Sequence, residues 1–223
     1  GAVAAAAVLF LGGQESGHAW ADVLFGDVAP TGRLPLTLPA SEGWTIAPSY
    51  GRTVRYAEGL ATGYRAAGAT SEAAYPFGHG LTYTTFDFGT PRVGTSACSP
   101  AGCDQAGCVL CAVLPVTNQG NTTAAAVPQL YLEVPATGWP APLLRGFRKT
   151  APIAPGGLVD VPFCLTARDL SYYRGGGWVR AVAATAHFGA SAGDLRASLR
   201  LPIGEILGEV VAEGRTKAKA EAT

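Results

Sequence analysis

Apolar positions change their period along this chain near residue 86. Upstream, an uninterrupted apolar run over residues 3–11 ends in Gly12 and Gly13 and predicts a buried strand. Residues 18–25 then carry apolar side chains at helical spacing and stop at Gly26, which predicts a helix. Residues 30–39 open with a turn and continue with alternating Leu34, Leu36 and Leu38. Their prolines restrict this stretch to an edge strand or an extended ribbon.

Downstream, helix signals fade and short apolar runs alternate with turn clusters, the pattern of a β-sandwich. Strands are expected over 109–117, 127–134, 143–153, 158–165, 178–188 and 195–201, with turns at 118–121, 135–142, 155–157, 174–177 and 189–193. Beyond Pro202, Ile203, Ile206, Leu207, Val210 and Val211 share one helical face, so a short amphipathic helix and a frayed tail are expected. The pattern thus divides the chain into an α/β piece (1–86), a sandwich (87–202) and a helix with a flexible tail (203–223).

Composition narrows the function classes. With 48% hydrophobic residues in 223, chain-wide disorder is excluded. Lys plus Arg equals Asp plus Glu at 16 each, so no basic surplus marks a nucleic-acid partner. The apolar run at 3–11 is shorter than the roughly 20 residues of a membrane helix, and no Lys or Arg precedes it as in a signal peptide. No membrane partner is expected. The absence of Met points to a processed product, an excised segment or a truncated gene. Five Cys and the glycosylation acceptor Asn121-Thr122-Thr123 favour an extracellular or secretory-pathway protein.

Several residue groups invite a chemical reading. The run from Gly12 to Gly17 between strand and helix imitates a dinucleotide fingerprint, but its glycine spacing is wrong and no βαβ unit with an acidic ribose ligand follows. A tight strand-to-helix turn is expected, with no cofactor-binding residue. Ser16 beside His18 lacks the G-x-S-x-G elbow of an activated nucleophile. Cys103, Cys108, Cys111 and the distant Cys164 imitate an iron–sulfur spacing, yet they span a loop and a sandwich strand, so disulfides or thiols are expected, with a surface loop over 98–111. His18, His79 and His187 are scattered, and no metal ligand is assigned. Glu15, Asp22, Asp27 and Glu58 would be the acids for glycoside hydrolysis, but spacing pairs no two of them.

A longer pattern connects these pieces. Residues 12–35 read G-G-Q-E-S-G-H-A-W-A-D-V-L-F-G-D-V-A-P-T-G-R-L-P, residues 56–65 Y-A-E-G-L-A-T-G-Y-R, and residues 75–86 Y-P-F-G-H-G-L-T-Y-T-T-F. Further on come L-R-G-F-R-K at 144–149, A-P-G at 154–156, R-D-L-S-Y at 168–172 and G-A-S at 189–191. In this order they resemble the C-terminal part of family 3 glycoside hydrolases, the β-glucosidase family. The fold this implies is an α+β multi-domain fragment: the end of an α/β sandwich domain (1–86) followed by an immunoglobulin-like, fibronectin type III-like β-sandwich (87–202).

The resemblance also implies retaining hydrolysis of terminal β-D-glucosidic bonds, without cofactor, on a β-linked oligosaccharide or aryl glycoside. Its nucleophilic Asp comes from an N-terminal barrel, here an expected missing partner, and its acid/base Glu from earlier in the α/β sandwich domain. No catalytic residue is therefore assigned within this sequence, and the chain alone is expected to be inactive. Ala29 in place of the usual Asn and the Cys-rich stretch 98–111 suggest divergence. A β-xylosidase of the same family is the alternative, although His79 favours the glucosidase branch. A non-catalytic carbohydrate-binding module is the alternative of another class. Phe77, Tyr83 and Phe86 are expected to be buried where the two parts meet, and Arg33 or Glu58 to tie loops together.

Overall fold

In a computed structural model of the chain, residues 3–44, 50–66, 69, 71–94, 107–201, 203 and 204 are described. The expected helix forms as α1 (Ser16–Phe25), and Gly26 ends it at φ 88°, its N–H donating to Val23 O at 3.3 Å. Only glycine takes that backbone conformation without cost, which is why the helical pattern stops there. The run at 3–11 departs from expectation. It pairs with no strand among the described residues, and Val8, Phe10 and Leu11 are exposed. An apolar run becomes a buried strand only where neighbouring strands and helices cover both faces.

The ribbon after α1 ends in β1 (Leu38–Pro39), which pairs antiparallel with β2 (Ala73–Tyr75). Outside this pair, Leu34 before β1 and the turn near Gly78 after β2 exchange backbone bonds: Leu34 N–H donates to His79 O and Gly78 N–H to Leu34 O, both at 2.8 Å. The prolines at 30, 35 and 39 keep this segment to isolated bonds instead of a long ladder.

The sandwich is built from β3 (Phe86–Phe88), β4 (Arg92–Val93), β5 (Cys108–Asn118), β6 (Gln129–Glu133), β7 (Leu143–Phe147), β8 (Leu158–Thr166), β9 (Ser171–Arg174), β10 (Gly177–Arg180), β11 (Ala184–Ser191) and β12 (Asp194–Leu201). One sheet runs β12-β11-β6-β7. In the other, β5 pairs with β8 along one edge and with β3 and β4 along the opposite edge. In an antiparallel strand the N–H and C=O of one residue point to the same side. Pro115, whose carbonyl accepts from Gly89 N–H at 2.9 Å between β3 and β4, thus sits where a ladder donor is least needed.

Strand alternation sends Leu110, Ala112, Leu114 and Val116 of β5 into the core, where they meet Leu130, Leu132, Ala186 and Phe188 of the facing sheet. Phe163 and Phe188 cross edge-on with ring centroids 5.5 Å apart. Burying such side chains contributes about 1.5–3 kcal/mol each, and this core is what holds the two sheets together.

Several expected boundaries shift. The single strand expected over 178–188 is two, β10 and β11: Ala181 N–H still donates to Leu170 O at 2.9 Å in the hairpin register, the chain then bends at Val182, and Ala184 opens β11 in another sheet. Strand β7 stops at Phe147, and the chain continues beside 124–128 through the separate bonds Arg148 N–H to Pro128 O and Thr150 N–H to Ala126 O. The turn expected over 189–193 shortens to 192–193, with Gly189 to Ser191 still in β11 at a register shift. Strands β3, β4 and β9 are too short for a periodic signal. Ile203 and Gly204 are helical and Ile203 is buried; the rest of the expected terminal helix, from residue 205 on, lies outside the described residues.

Candidate functional site

The chemistry-bearing residues singled out in the sequence do not converge. Ser16 Oγ donates to the backbone carbonyl of Gly13 at 2.5 Å, and His18 Nδ1 contacts Glu15 Oε2 at 2.6 Å, so each serves the start of α1. Among other acids, Asp160 holds Arg92, Asp194 holds Arg196, and Asp169 accepts from Thr166 N–H at 2.9 Å and Thr166 Oγ at 2.6 Å. No cluster of three metal-ligating side chains occurs among the described residues. Arg33 donates to Gly32 O at 3.0 Å while its Nε is buried without a partner among the described residues, and burial lowers its pKa.

Cys108 and Cys164 form a disulfide between β5 and β8, closing a sequence separation of 56 residues with Cα atoms 5.5 Å apart. Cys111 pairs in register with Cys164 on the same strands. The expected loop is thus already strand at Cys108, while Cys98 and Cys103 lie outside the described residues.

What the chain does build is a polar clasp where the segment 64–84 meets the sandwich. Gln129, 3% exposed, opens β6. Its Nε2 donates to Gly78 O at 3.0 Å and to Ala190 O at 2.8 Å, and its Oε1 accepts from Tyr131 O–H at 2.6 Å. Both amide donors and the amide acceptor are therefore used across three distant segments. Gly78 sits at φ 81°, and a Cβ there would run into Gln129 Oε1, so glycine is required twice over.

Aromatic rings close the clasp. Tyr64 stacks on half-buried Phe77 at 4.6 Å and meets Tyr131 edge-on at 6.1 Å, while Tyr64 Oη accepts from Leu144 N–H at 3.0 Å. Ala192 N–H donates to Phe77 O at 2.9 Å. Burial, with the nearby Tyr64 adding to it, raises the Tyr131 pKa far above the ordinary phenol value and keeps its hydroxyl a donor.

A second knot lies beside the first. Asn118, fully buried at the end of β5, donates from Nδ2 to Thr122 O and Ile153 O, both at 2.8 Å, and accepts at Oδ1 from Thr84 Oγ at 2.6 Å and Gly120 N–H at 3.1 Å. Of the three rings expected between the two parts, Phe86 is buried in the sandwich core and Phe77 is half-buried. Tyr83 is 43% exposed and reaches α1 only through its hydroxyl, which donates to Val23 O. Neither Gln129 nor Asn118 was singled out from sequence. The available signal was a polar residue in register with buried neighbours, Asn118 continuing the series Leu114, Val116.

Across the outer face of the β12-β11-β6 sheet, His187 bridges Ser198 Oγ at 2.8 Å and Glu133 Oε2 at 3.0 Å. Ser198 is exposed on an edge strand, and the row is cross-strand polar pairing. A groove of about 220 Å³ lies elsewhere, lined among others by Arg148, Lys149, Val159 and Asp160.

An α/β segment clasped to an immunoglobulin-like sandwich defines a class once the known families are compared. Residues 1–83 match the glycosyl hydrolase family 3 C-terminal domain, and residues 126–191 match the fibronectin type III-like domain. The chain belongs to glycosyl hydrolase family 3, as a C-terminal portion. A β-glucosidase of Rhizobium radiobacter is 36% identical over 93% of this chain and 26% of its own length. The probable β-glucosidase L of Aspergillus terreus is 39% identical over 72% and 24%. Among solved structures, the β-D-glucoside glucohydrolase of Trichoderma reesei superposes with a TM-score of 0.73 at 32% identity, over 85% of this chain and 29% of that one. β-Glucosidase 3B of Thermotoga neapolitana, in complex with glucose, gives 0.69 at 30% identity, over 85% and 27%. The chain spans about a quarter of the length of the curated relatives it matches.

Proposed function

We propose that this chain is the C-terminal scaffold of a secreted, retaining β-glucosidase whose nucleophile and acid/base are carried by other parts of the enzyme. The reaction is hydrolysis of terminal β-glucosidic bonds through a glycosyl-enzyme intermediate, which needs two carboxyl groups about 5–5.5 Å apart and no cofactor. The observation that carries this reading is the use made of the family blocks. The loop 75–81 and Tyr64 are spent on the clasp to Gln129, Tyr131 and Leu144, while the acids Glu15, Asp160, Asp169 and Asp194 are each held by a local partner. The relatives are named β-glucosidases, which supports a glucoside over a xyloside as substrate.

The test is turnover of aryl β-glucoside and aryl β-xyloside by the purified 223-residue chain. No turnover is expected with either. Hydrolysis that disappears on Glu15→Gln or Glu58→Gln would show that these residues form a site of their own and would overturn the scaffold reading.

A further inference from the structure

Strands β9 and β10 form a separate two-stranded hairpin that joins neither sheet of the sandwich. Leu170 and Ala181, joined at its base by the bond from Ala181 N–H to Leu170 O, are buried in the core and anchor it there, and Tyr172 packs against the same core. Cross-strand partners in an antiparallel pair share a face. Val179 pairs with Tyr172 and therefore shares the inner face, whereas Trp178 pairs with Tyr173 and Arg180 with Ser171 on the outer one. Trp178 is 52% exposed and Tyr173 61%, their rings meeting edge-on at 5.4 Å. Nothing in core packing requires two large aromatic rings there.

Charge on this face is one-sided. Arg168 lies over the Trp178 ring, its guanidinium carbon 3.3 Å from the centroid, close enough for the two planes to stack. A stacked guanidinium keeps its N–H donors in its own plane, pointing away from the ring and free to take a partner. The side chains of Arg168, Arg174 and Arg180 make no hydrogen bond or ion pair among the described residues, and the one acid within residues 168–183, Asp169, is turned to Thr166 and Arg145. Elsewhere Arg92, Arg145 and Arg196 each have a carboxylate within ion-pair reach.

We propose that the outer face of this hairpin is a binding site for an acidic polysaccharide, a glycan whose sugar rings carry carboxylates. The exposed indole offers a flat apolar surface to the C–H face of a pyranose, and Tyr173 limits where the ring can sit. Arg168 and Arg180 supply charge-assisted donors that match a carboxylate, which a neutral glucan does not offer. Single-stranded nucleic acid also combines stackable rings with negative charge. It is disfavoured because strand binding stacks successive bases on a row of rings, whereas this face carries one edge-on pair, and because the relatives are enzymes named for glucosides. The site is separate from the scaffold role, and a binding assay without hydrolysis lets the two fail independently.

The experiment is isothermal titration of the 223-residue chain with a β-1,4-linked glucuronic acid hexamer, with cellohexaose, which has the same backbone without carboxylates, and with a thymidine oligonucleotide. The hexuronate is expected to bind at least about tenfold more tightly than cellohexaose, and its affinity to fall as salt rises from about 0.05 to about 0.5 M. Trp178→Ala should weaken hexuronate binding about tenfold or more, and R168A/R180A should erase the preference over cellohexaose. Thermal unfolding of each variant at the wild-type midpoint shows that the sandwich is intact, and Tyr173→Ala serves as a second probe if Trp178→Ala unfolds. Equal binding of the two hexamers, tighter binding of the oligonucleotide, no binding at all, or affinity unchanged in both aromatic variants would overturn the proposal.

Discussion

Replacing Gln129 by Leu keeps the volume and removes every polar contact of the clasp. Three groups lose their partner: Gly78 O, Ala190 O and the Tyr131 hydroxyl. A buried polar group left unsatisfied costs about 1–3 kcal/mol. Ala190 is half-buried, so its carbonyl regains water, whereas Gly78 is buried and Tyr131 is 1% exposed. Two groups near the middle of that range, less about 1 kcal/mol for the apolar gain of leucine, leave a net loss of about 3 kcal/mol. For a chain of this size that lowers the thermal midpoint by about 6–12 °C. Circular dichroism melting reads the shift, and limited chymotrypsin digestion should show earlier cleavage at Phe77, whose loop the clasp holds. A midpoint within about 2 °C of the parent, with unchanged cleavage, would refute the reasoning.

Other outcomes follow from the same geometry. Gly78→Ala should cost about 2 kcal/mol or more in urea unfolding, since the new Cβ meets Gln129 and the backbone stays at positive φ. Reducing the Cys108–Cys164 disulfide should lower unfolding free energy by about 2–4 kcal/mol, as expected for releasing a long loop, and Cys164→Ala should reproduce the loss without reductant. The raised Tyr131 pKa makes the folded state bind its phenolic proton more tightly than the unfolded chain. That stabilisation is fully present below the ordinary phenol pKa of about 10 and is lost as pH rises beyond it, so urea midpoints should fall above that pH and fall less in Tyr131→Phe. Asp160→Asn removes an exposed ion pair with Arg92 and should leave the urea midpoint close to that of the parent.

The sandwich was legible because its long strands are apolar runs bounded by turn residues, as in β5 and β8, or alternate apolar with polar residues, as in β12, and glycine marked the end of α1 in the same local way. The hairpin was not. Largely apolar character continues from Trp178 to Phe188, and only a bend at Val182, after the last hairpin bond from Ala181 N–H to Leu170 O, takes the chain from one sheet to another. The run at 3–11 misled for the opposite reason, since its composition records what a strand needs around it rather than what surrounds it here. The clasp joins residues 78, 129 and 190, and no local pattern reports a glutamine whose three partners are so far apart. Motif resemblance found the loop 75–86 as a block, yet gave no account of what holds it.

A mechanism-based inactivator addresses the scaffold reading at its chemical root. A 2-deoxy-2-fluoro-β-D-glucosyl fluoride leaves its sugar covalently on the nucleophile of a retaining glycosidase, because the fluorine slows release of the glycosyl-enzyme intermediate. Incubated with the 223-residue chain and read by intact-protein mass spectrometry, it is expected to leave the mass unchanged. A stoichiometric glycosyl adduct on any Asp or Glu of these residues, located by peptide mapping, would contradict it.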